Sequence, residues 1–407
     1  MKFKYCVHVK AIAAIMLLGL LAAPTVAGDT SLPIKVINPK TLSVKEIPCE
    51  RISIGEPGDY KACVAKLPSG ELLLTMFHMY KNVKGKKYLE PNLLFRSNDG
   101  GRTWSGPEKL DLLGREPYLT VISDGTIFIT GHFLPGDVRN KHGYVHCYVH
   151  RSTDGGKTWE SLCIDSDALG QPGIHNNSIT STRNHITSTR NVLELADGTL
   201  LLGVDCPQRR LCFVWRSTDR GKTWDRSRKC EPVGFKRRFG FFGGETWLWQ
   251  TRSGKIIAFV RVDSEDYPIE EKLEGGTGSD HDNHEMLWES TDGGRTFGRV
   301  CHFGDYGQMY PSLLRLRDGR LLYTYTQRAL QPPPGVRALV GTEQEDGFTF
   351  EFDSDLLLID YKTPVGKPQG GCFGPTVQLD DGTLVTSYTY RGADNQTYAE
   401  VARWRLE

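Results

Sequence analysis

Apolar positions in this chain fall into short runs, each stopped by a glycine-containing turn and followed by a second apolar run. Six such pairs occur: Cys63-Val64-Ala65-Lys66-Leu67 before Gly70, Tyr118-Leu119-Thr120-Val121 before Gly125, Val192-Leu193-Glu194-Leu195 before Gly198, Thr246-Trp247-Leu248-Trp249 before Gly254, Ser312-Leu313-Leu314-Arg315-Leu316 before Gly319, and Thr376-Val377-Gln378-Leu379 before Gly382. The turn glycines lie 55, 73, 56, 65 and 63 residues apart. Short apolar runs bounded by Ser-Gly or Asp-Gly predict β-strands joined by tight two-residue hairpins, because these residues tolerate positive φ. A unit recurring at such intervals predicts a repeat architecture.

A second element follows each of the first four pairs. Ser97-Asn98-Asp99-Gly100-Gly101-Arg102-Thr103-Trp104 recurs at residues 152–159, 217–224 and 290–297, the last copy ending in Phe297. A degraded fifth copy reads Glu343-Gln344-Glu345-Asp346-Gly347-Phe348-Thr349-Phe350. A short Asp side chain can bond the backbone of its own turn, Gly permits the tight path, and the terminal aromatic plugs the space beneath. These residues therefore read as structural rather than catalytic.

The four near-intact copies are similar to the Asp boxes of the sialidase (neuraminidase) superfamily, and the resemblance covers essentially the whole chain after residue 27. It implies an all-β, six-bladed β-propeller, with residues 28–407 as a single domain. Each repeat would supply the two inner strands of a blade, and each Asp box would join a third strand to a fourth. Only one strand follows the last pair, so residues 33–47 are expected to add the missing outer strand. The ring then closes with both termini in one blade, which also removes exposed sheet edges. A tandem duplication, Ile179-Thr180-Ser181-Thr182-Arg183-Asn184 and then residues 186–191, falls in the longest interval and reads as an insertion before blade three.

In a propeller, the segments leading into the innermost strands share one face with the loops joining second to third strands. Asp boxes decorate the other face. That filter selects Lys61, Arg115, Arg190, Glu245, Tyr310 and Phe373 ahead of inner strands, and His78, His132, Asp205, Arg261, Arg328 and Arg391 after second strands. The resemblance implies three arginines for a sugar carboxylate, an Asp acid/base, and a Tyr nucleophile activated by a Glu. Arginine's planar fork matches a carboxylate, and a tyrosine avoids setting a second anion against the substrate's own charge.

Glu245, one hairpin before Arg261, resembles the family's Glu and second arginine. Arg337, just before the degraded box, resembles the third. Other positions depart. The family's Arg-Ile-Pro is replaced by Tyr60-Lys61-Ala62-Cys63, so Lys61 keeps the charge without the fork, while an Arg115-Glu116-Pro117 opens blade two. No Asp lies between Asp59 and Asp99, and Glu90 is the nearest carboxylate. Phe373-Gly374-Pro375-Thr376 stands where the family has Tyr-Ser-x-Leu, and phenylalanine cannot act as a nucleophile. Tyr310-Pro311-Ser312-Leu313 matches that motif better but belongs to blade five.

The candidate catalytic residues are thus Glu245 and Tyr310. The candidate substrate-binding residues are Lys61, Arg115, Arg190, Arg261, Arg337, His132, His281 and His284. The last two belong to Asp280-His281-Asp282-Asn283-His284-Glu285, a run that suits a metal, an acid/base pair or a solvated polar loop.

Composition narrows the partners. A chain with 39% hydrophobic and 24% charged residues can bury a globular core, and a net charge of +1 supplies no field for nucleic acid or an anionic membrane. Lys2, Lys4 and Lys10, the apolar run at residues 11–23 and Thr25-Val26-Ala27 predict a secretory signal peptide, residues 1–27, cut after Ala27. The run is shorter than the ~20 residues a membrane span needs, so a secreted or periplasmic protein without stable membrane insertion is expected. No Cys-x-x-Cys pair is present. Cys206 and Cys212 flank a short turn, where they either bridge or remain buried thiols. With no P-loop, flavin or dinucleotide signature, no cofactor and no metal are expected. Three functions remain: an exo-glycosidase acting on an acidic glycan or glycoconjugate, a glycan-binding propeller without chemistry, and an interaction scaffold. The Glu and Arg positions favour the first two, and the first is carried forward.

Overall fold

The computed structural model describes residues 2–4, 45–83, 87–164, 186–206, 211–226, 231–233, 245–262, 284–303, 307–328, 334–351, 356–357, 362–363 and 373–406. Among them the regular elements are all β-strands, arranged as six successive antiparallel blades. Blade one is Asp59–Lys66, Leu72–His78, Asn92–Ser97 and Glu108–Leu110. Blade two is Arg115–Val121, Ile127–Phe133, His146–Ser152 and Glu160–Ile164. Blade three contains Leu193–Glu194, Leu200–Cys206 and Leu211–Ser217. Blade four is Trp247–Gln250, Ile256–Val262, His284–Ser290 and Thr296–Phe303. Blade five is Gln308–Arg315, Arg320–Gln327, Gly335–Gln344 and Gly347–Glu351, with Lys2–Lys4 antiparallel to the last strand. Blade six is Thr376–Gln378, Leu384–Arg391 and Thr397–Trp404.

The ring closes as expected, but through a different segment. Glu50–Ile54, not residues 33–47, forms the outer strand of blade six, pairing Glu50 with Arg403 and Ile54 with Ala399. Lys45–Glu46 instead runs parallel to Leu356–Leu357 beside blade five, and residues 33–44 lie outside the described residues. The β-branched Ile52 and Ile54 alternate with Arg51 and Ser53, a period-two pattern that suits an outer strand with one face buried. Blades six and one are sewn together by side chains: Ser387 Oγ accepts from Val64 N at 3.0 Å and donates to Ala62 O at 3.2 Å.

The inner hairpins differ from two-residue turns. Leu67 N donates to Glu71 O and Gly70 N to Leu67 O, both at 2.9 Å, which makes residues 68–70 a three-residue loop. Gly70 sits at φ 91°, the left-handed position such loops require. The same pair of bonds recurs in the other five blades, for example Leu195 with Thr199 and Gly198.

The Asp boxes behave as local chemistry demands. Asp99 Oδ1 accepts from Arg102 N and Thr103 N, and Asp99 Oδ2 accepts from the Thr103 hydroxyl. Ser97 Oγ donates to Asp99 and accepts from Gly101 N. The copies at Asp154, Asp219 and Asp292 repeat the pattern. In the degraded fifth copy the Asp-centred network gives way to a tight hairpin, Gln344 opposite Gly347, with Phe348 and Phe350 still buried. Several arginines link blades at this face: Arg96 donates to Gly155 O, Arg151 to Arg220 O and Arg403 to Gly100 O. Between blades the core is aromatic and aliphatic. Phe259, Phe303, Tyr323 and Phe348 stack where blades four and five meet, each large side chain contributing about 1.5–3 kcal/mol by burial.

Of the second copy of the tandem duplication, Thr187–Ser188 pairs with Leu200–Cys206, and Asn191 exchanges two bonds with Leu248 of blade four. The first copy lies outside the described residues. Cys206 sits opposite Leu211, and Cys212 opposite Asp205; the two cysteine side chains lie outside the described residues.

Candidate active site

The innermost strands do not run straight into the central funnel. The first residue of each lead-in turns left-handed in five blades: Lys61 at φ 59°, Glu116 at 56°, Glu245 at 76°, Tyr310 at 59° and Phe373 at 63°. Bulges break the strand register at the same place, between Tyr60 and Cys63, between Arg115 and Tyr118, and between Met309 and Ser312. A bulge re-aims a side chain. A non-glycine residue held at positive φ costs of order 1–3 kcal/mol and clusters where function needs it. Arg190 holds the corresponding place in blade three.

These side chains converge. Lys61 Nζ lies 2.7 Å from Glu116 Oε2 and 3.7 Å from Glu245 Oε1, and donates to the Tyr310 hydroxyl at 3.0 Å. Tyr310 in turn donates to Glu245 Oε1 at 3.3 Å. Arg190 Nη2 contacts Glu116 Oε2 at 3.0 Å and also Glu245, whose other oxygen is bound by Arg261. Arg115 spans Glu90 at 3.4 Å and Glu116 at 3.7 Å. Phe373 forms the floor, its ring 5.0 Å from Lys61 Nζ and 4.6 Å from the Arg190 guanidinium. Arg328 donates to the Tyr60 hydroxyl at 3.2 Å and lies over the Tyr310 ring at 5.0 Å.

Above the cluster opens a cleft of about 560 Å³. Lys61, Glu90, Arg115, Glu116, Glu245, Arg261, Tyr310 and Arg328 line it, with Lys81, Lys87 and Arg391 among the other lining residues. It lies at the lead-ins to the inner strands, on the face opposite the Asp boxes.

Burial and charge split the acids into two kinds. Burial would push the Glu245 carboxyl up, but Arg190, Arg261 and Lys61 outweigh it and hold the group well below the usual carboxylate range. Glu116 is likewise held low, burial being overcome by Lys61, His132, Arg190 and Arg115. Glu90 goes the other way: burial pushes it up to about 7 against the opposing Arg115. Glu285, fully buried and cross-strand from Arg261, is pushed up by burial to about 8. Among the described residues, five cations (Lys61, Arg115, Arg190, Arg261 and Arg328) stand around the two carboxylates held ionised, Glu116 and Glu245.

Most of the sequence candidates meet here: Glu245, Tyr310, Lys61, Arg115, Arg190 and Arg261. Arg337 does not line the cleft. It is fully buried in the third strand of blade five, opposite Tyr325. His132 lies beside Glu116, but burial pushes its pKa down to about 3, so it brings a neutral ring rather than a charge for a carboxylate. His281 and the His284 side chain lie outside the described residues. Glu116 was missed by one position: the filter chose Arg115, and the bulge turns the next residue inward. Two features of the sequence could have found it, the Arg-Glu-Pro at the start of blade two and its alignment with Tyr60-Lys61 in blade one.

Fold and cluster together define a sialidase-like six-bladed propeller. Residues 59–323 match the BNR repeat-like domain family, and the chain belongs to that family. Its structure is similar to a protein of unknown function from Dyadobacter fermentans, with 23% identity, TM-score 0.63, and 88% of this chain and 98% of that chain covered. It is also similar to the Ruminococcus gnavus intramolecular trans-sialidase in complex with oseltamivir carboxylate, at 13% identity and TM-score 0.55, covering 86% and 94%. A third relative in fold is the Fusarium graminearum α-L-arabinofuranosidase Arb93A in complex with an iminosugar inhibitor, at 13% identity and TM-score 0.57, covering 88% and 97%. No curated protein matches the sequence.

Proposed function

We propose that the protein is a secreted exo-glycosidase that releases an acidic sugar, with Tyr310 as its nucleophile. The observation that carries this reading is the Tyr310 hydroxyl held between Lys61 at 3.0 Å and the Glu245 carboxylate at 3.3 Å in a cleft lined by Arg115, Arg261 and Arg328. A sugar carboxylate drawn to Arg261 and Arg328 neutralises part of the charge that keeps Glu245 ionised, so Glu245 gains basicity as substrate binds. The phenolic oxygen then attacks the anomeric carbon as its proton passes to Glu245. Glu90, protonated up to about pH 7, gives its proton to the departing oxygen. Water next loses a proton to Glu90 and cleaves the glycosyl–tyrosine bond, and the proton on Glu245 returns to Tyr310. Glu285 stays neutral behind Arg261 and leaves that arginine's charge available to the substrate.

A specific observation supports a second reading. Glu116 is held ionised at the Lys61 ammonium, 2.7 Å away, and Arg115 links it at 3.7 Å to Glu90 at 3.4 Å, so Glu116 in place of the tyrosine would form with Glu90 the nucleophile and acid of a retaining carboxylate pair.

The test is hydrolysis of a panel of chromogenic glycosides, sialosides and uronides included, by wild type and Glu245→Gln. Turnover of an acidic glycoside, lost in the variant, is expected. Turnover that persists in Glu245→Gln refutes its role. No turnover by wild type on any acidic glycoside refutes the enzyme reading and leaves a glycan-binding propeller.

A further inference from the structure

A second cluster sits beside the cleft and takes part in none of these steps. Gly55-Glu56-Pro57-Gly58 turns over the start of blade one and brings Glu56, Asp59 and His78 together, with a ligand atom from each lying within 4.8 Å of the others. Asp59 Oδ1 is 2.7 Å from His78 Nδ1, and Glu56 Oε1 is 3.5 Å from the same nitrogen. The Asp59 side chain is fully buried and the His78 side chain is 11% exposed, whereas that of Glu56 is 66% exposed, so the cluster opens to solvent on the Glu56 side.

We propose that Glu56, Asp59 and His78 form a binding site for a divalent transition metal of the zinc or manganese class. One imidazole with two carboxylates is a borderline donor set that suits these ions, whereas calcium asks for six to eight oxygens. A carboxylate buried against an imidazole loses hydration that a bound cation would restore. The surrounding shell is tight. Glu56 N donates to Asp59 Oδ2 at 2.8 Å, and the Tyr80 ring packs 4.2 Å from the imidazole. A Cβ on Gly55 would fall 2.1 Å from Asp59 Oδ2, and one on Gly58 3.0 Å from His78 Cε1, so the turn closes over the ligands only with glycine there. Such second contacts fix ligand orientation. Three protein ligands leave room for water or a sugar oxygen, and the neighbouring Tyr60 and Met79 line the cleft.

The test is calorimetric titration of the untagged, EDTA-stripped full chain with zinc chloride, together with metal content after gel filtration. One zinc per chain is expected, with affinity at least about tenfold weaker in Asp59→Asn and in His78→Gln. Those two residues are buried, so Glu56→Gln, on an exposed side chain, is measured alongside and is expected to lose about tenfold as well. Calcium chloride is expected to give no comparable heat. The proposal is overturned if wild type binds no zinc, in which case Asp59 and His78 are a structural hydrogen bond only. It is equally overturned if zinc affinity is unchanged in the folded variants, or if calcium binds as tightly as zinc.

Discussion

Replacing Tyr310 by Phe removes a single oxygen and leaves the ring in place, edge-on to Phe373 with centroids 5.5 Å apart and 4.6 Å from Lys61 Nζ. The lost hydroxyl has two charged partners, and a hydrogen bond to a charged group contributes about 1.5–3 kcal/mol. Both partners keep other contacts: Lys61 still meets Glu116 at 2.7 Å, and Glu245 keeps Arg190 and Arg261. The stability loss should therefore stay near about 1.5 kcal/mol, small against the ~5–15 kcal/mol of a typical fold. Activity should respond far more, because the bond-forming atom is gone. A fall in kcat of at least about 10³-fold is expected, equivalent to ~4 kcal/mol in the barrier. The assay is steady-state hydrolysis of the best acidic aryl glycoside, paired with a thermal unfolding curve. A Tyr310→Phe protein that melts like wild type yet keeps more than a tenth of kcat refutes the nucleophile assignment and points to Glu116.

Two further predictions come from the raised carboxyls. Glu90 must be protonated to act as the acid, so kcat/KM should fall on the alkaline side with an apparent pKa of about 7, and Glu90→Gln should lose that limb along with most activity; a limb that survives the substitution contradicts the role. Glu285 keeps its proton in the folded chain up to about pH 8, whereas the unfolded chain releases it near pH ~4.5, so its contribution to stability declines as pH rises between those values. Glu90 shares that decline only up to about 7, which leaves pH 7 to 8 to isolate Glu285. Melting temperature should drop across that interval in wild type and stay flatter in Glu285→Gln, and an equal slope in both would show that Glu285 is ionised in the fold.

The propeller was legible in the sequence because its signals are local. Six apolar pairs, six turn glycines and four Ser-x-Asp-x-Gly-x-Thr elements each close bonds within about five residues, as the Gly70 turn and the Asp99 box do. Strand order alone also put Glu245, Arg261, Arg190 and Lys61 on one face, and the structure brings these four side chains into contact. What the sequence left open depended on contacts between blades. Whether residues 33–47 or Glu50–Ile54 closed the ring depended on which strand could lie along Thr397–Trp404. Glu116 enters the cluster beside Arg115 because a bulge and a left-handed residue turn it inward, a choice stabilised by Lys61 and Arg190 from other blades. Arg337 has the charge and spacing the resemblance implies, but it is fully buried within its strand and is not among the residues that line the cleft. Tyr310 and Glu245 are 65 residues apart in sequence and meet only because two neighbouring blades aim their first residues at one axis. The opposed states of Glu90 and Glu245 follow from the same cause: identical side chains differ in acidity according to how many cations the assembled ring places around each.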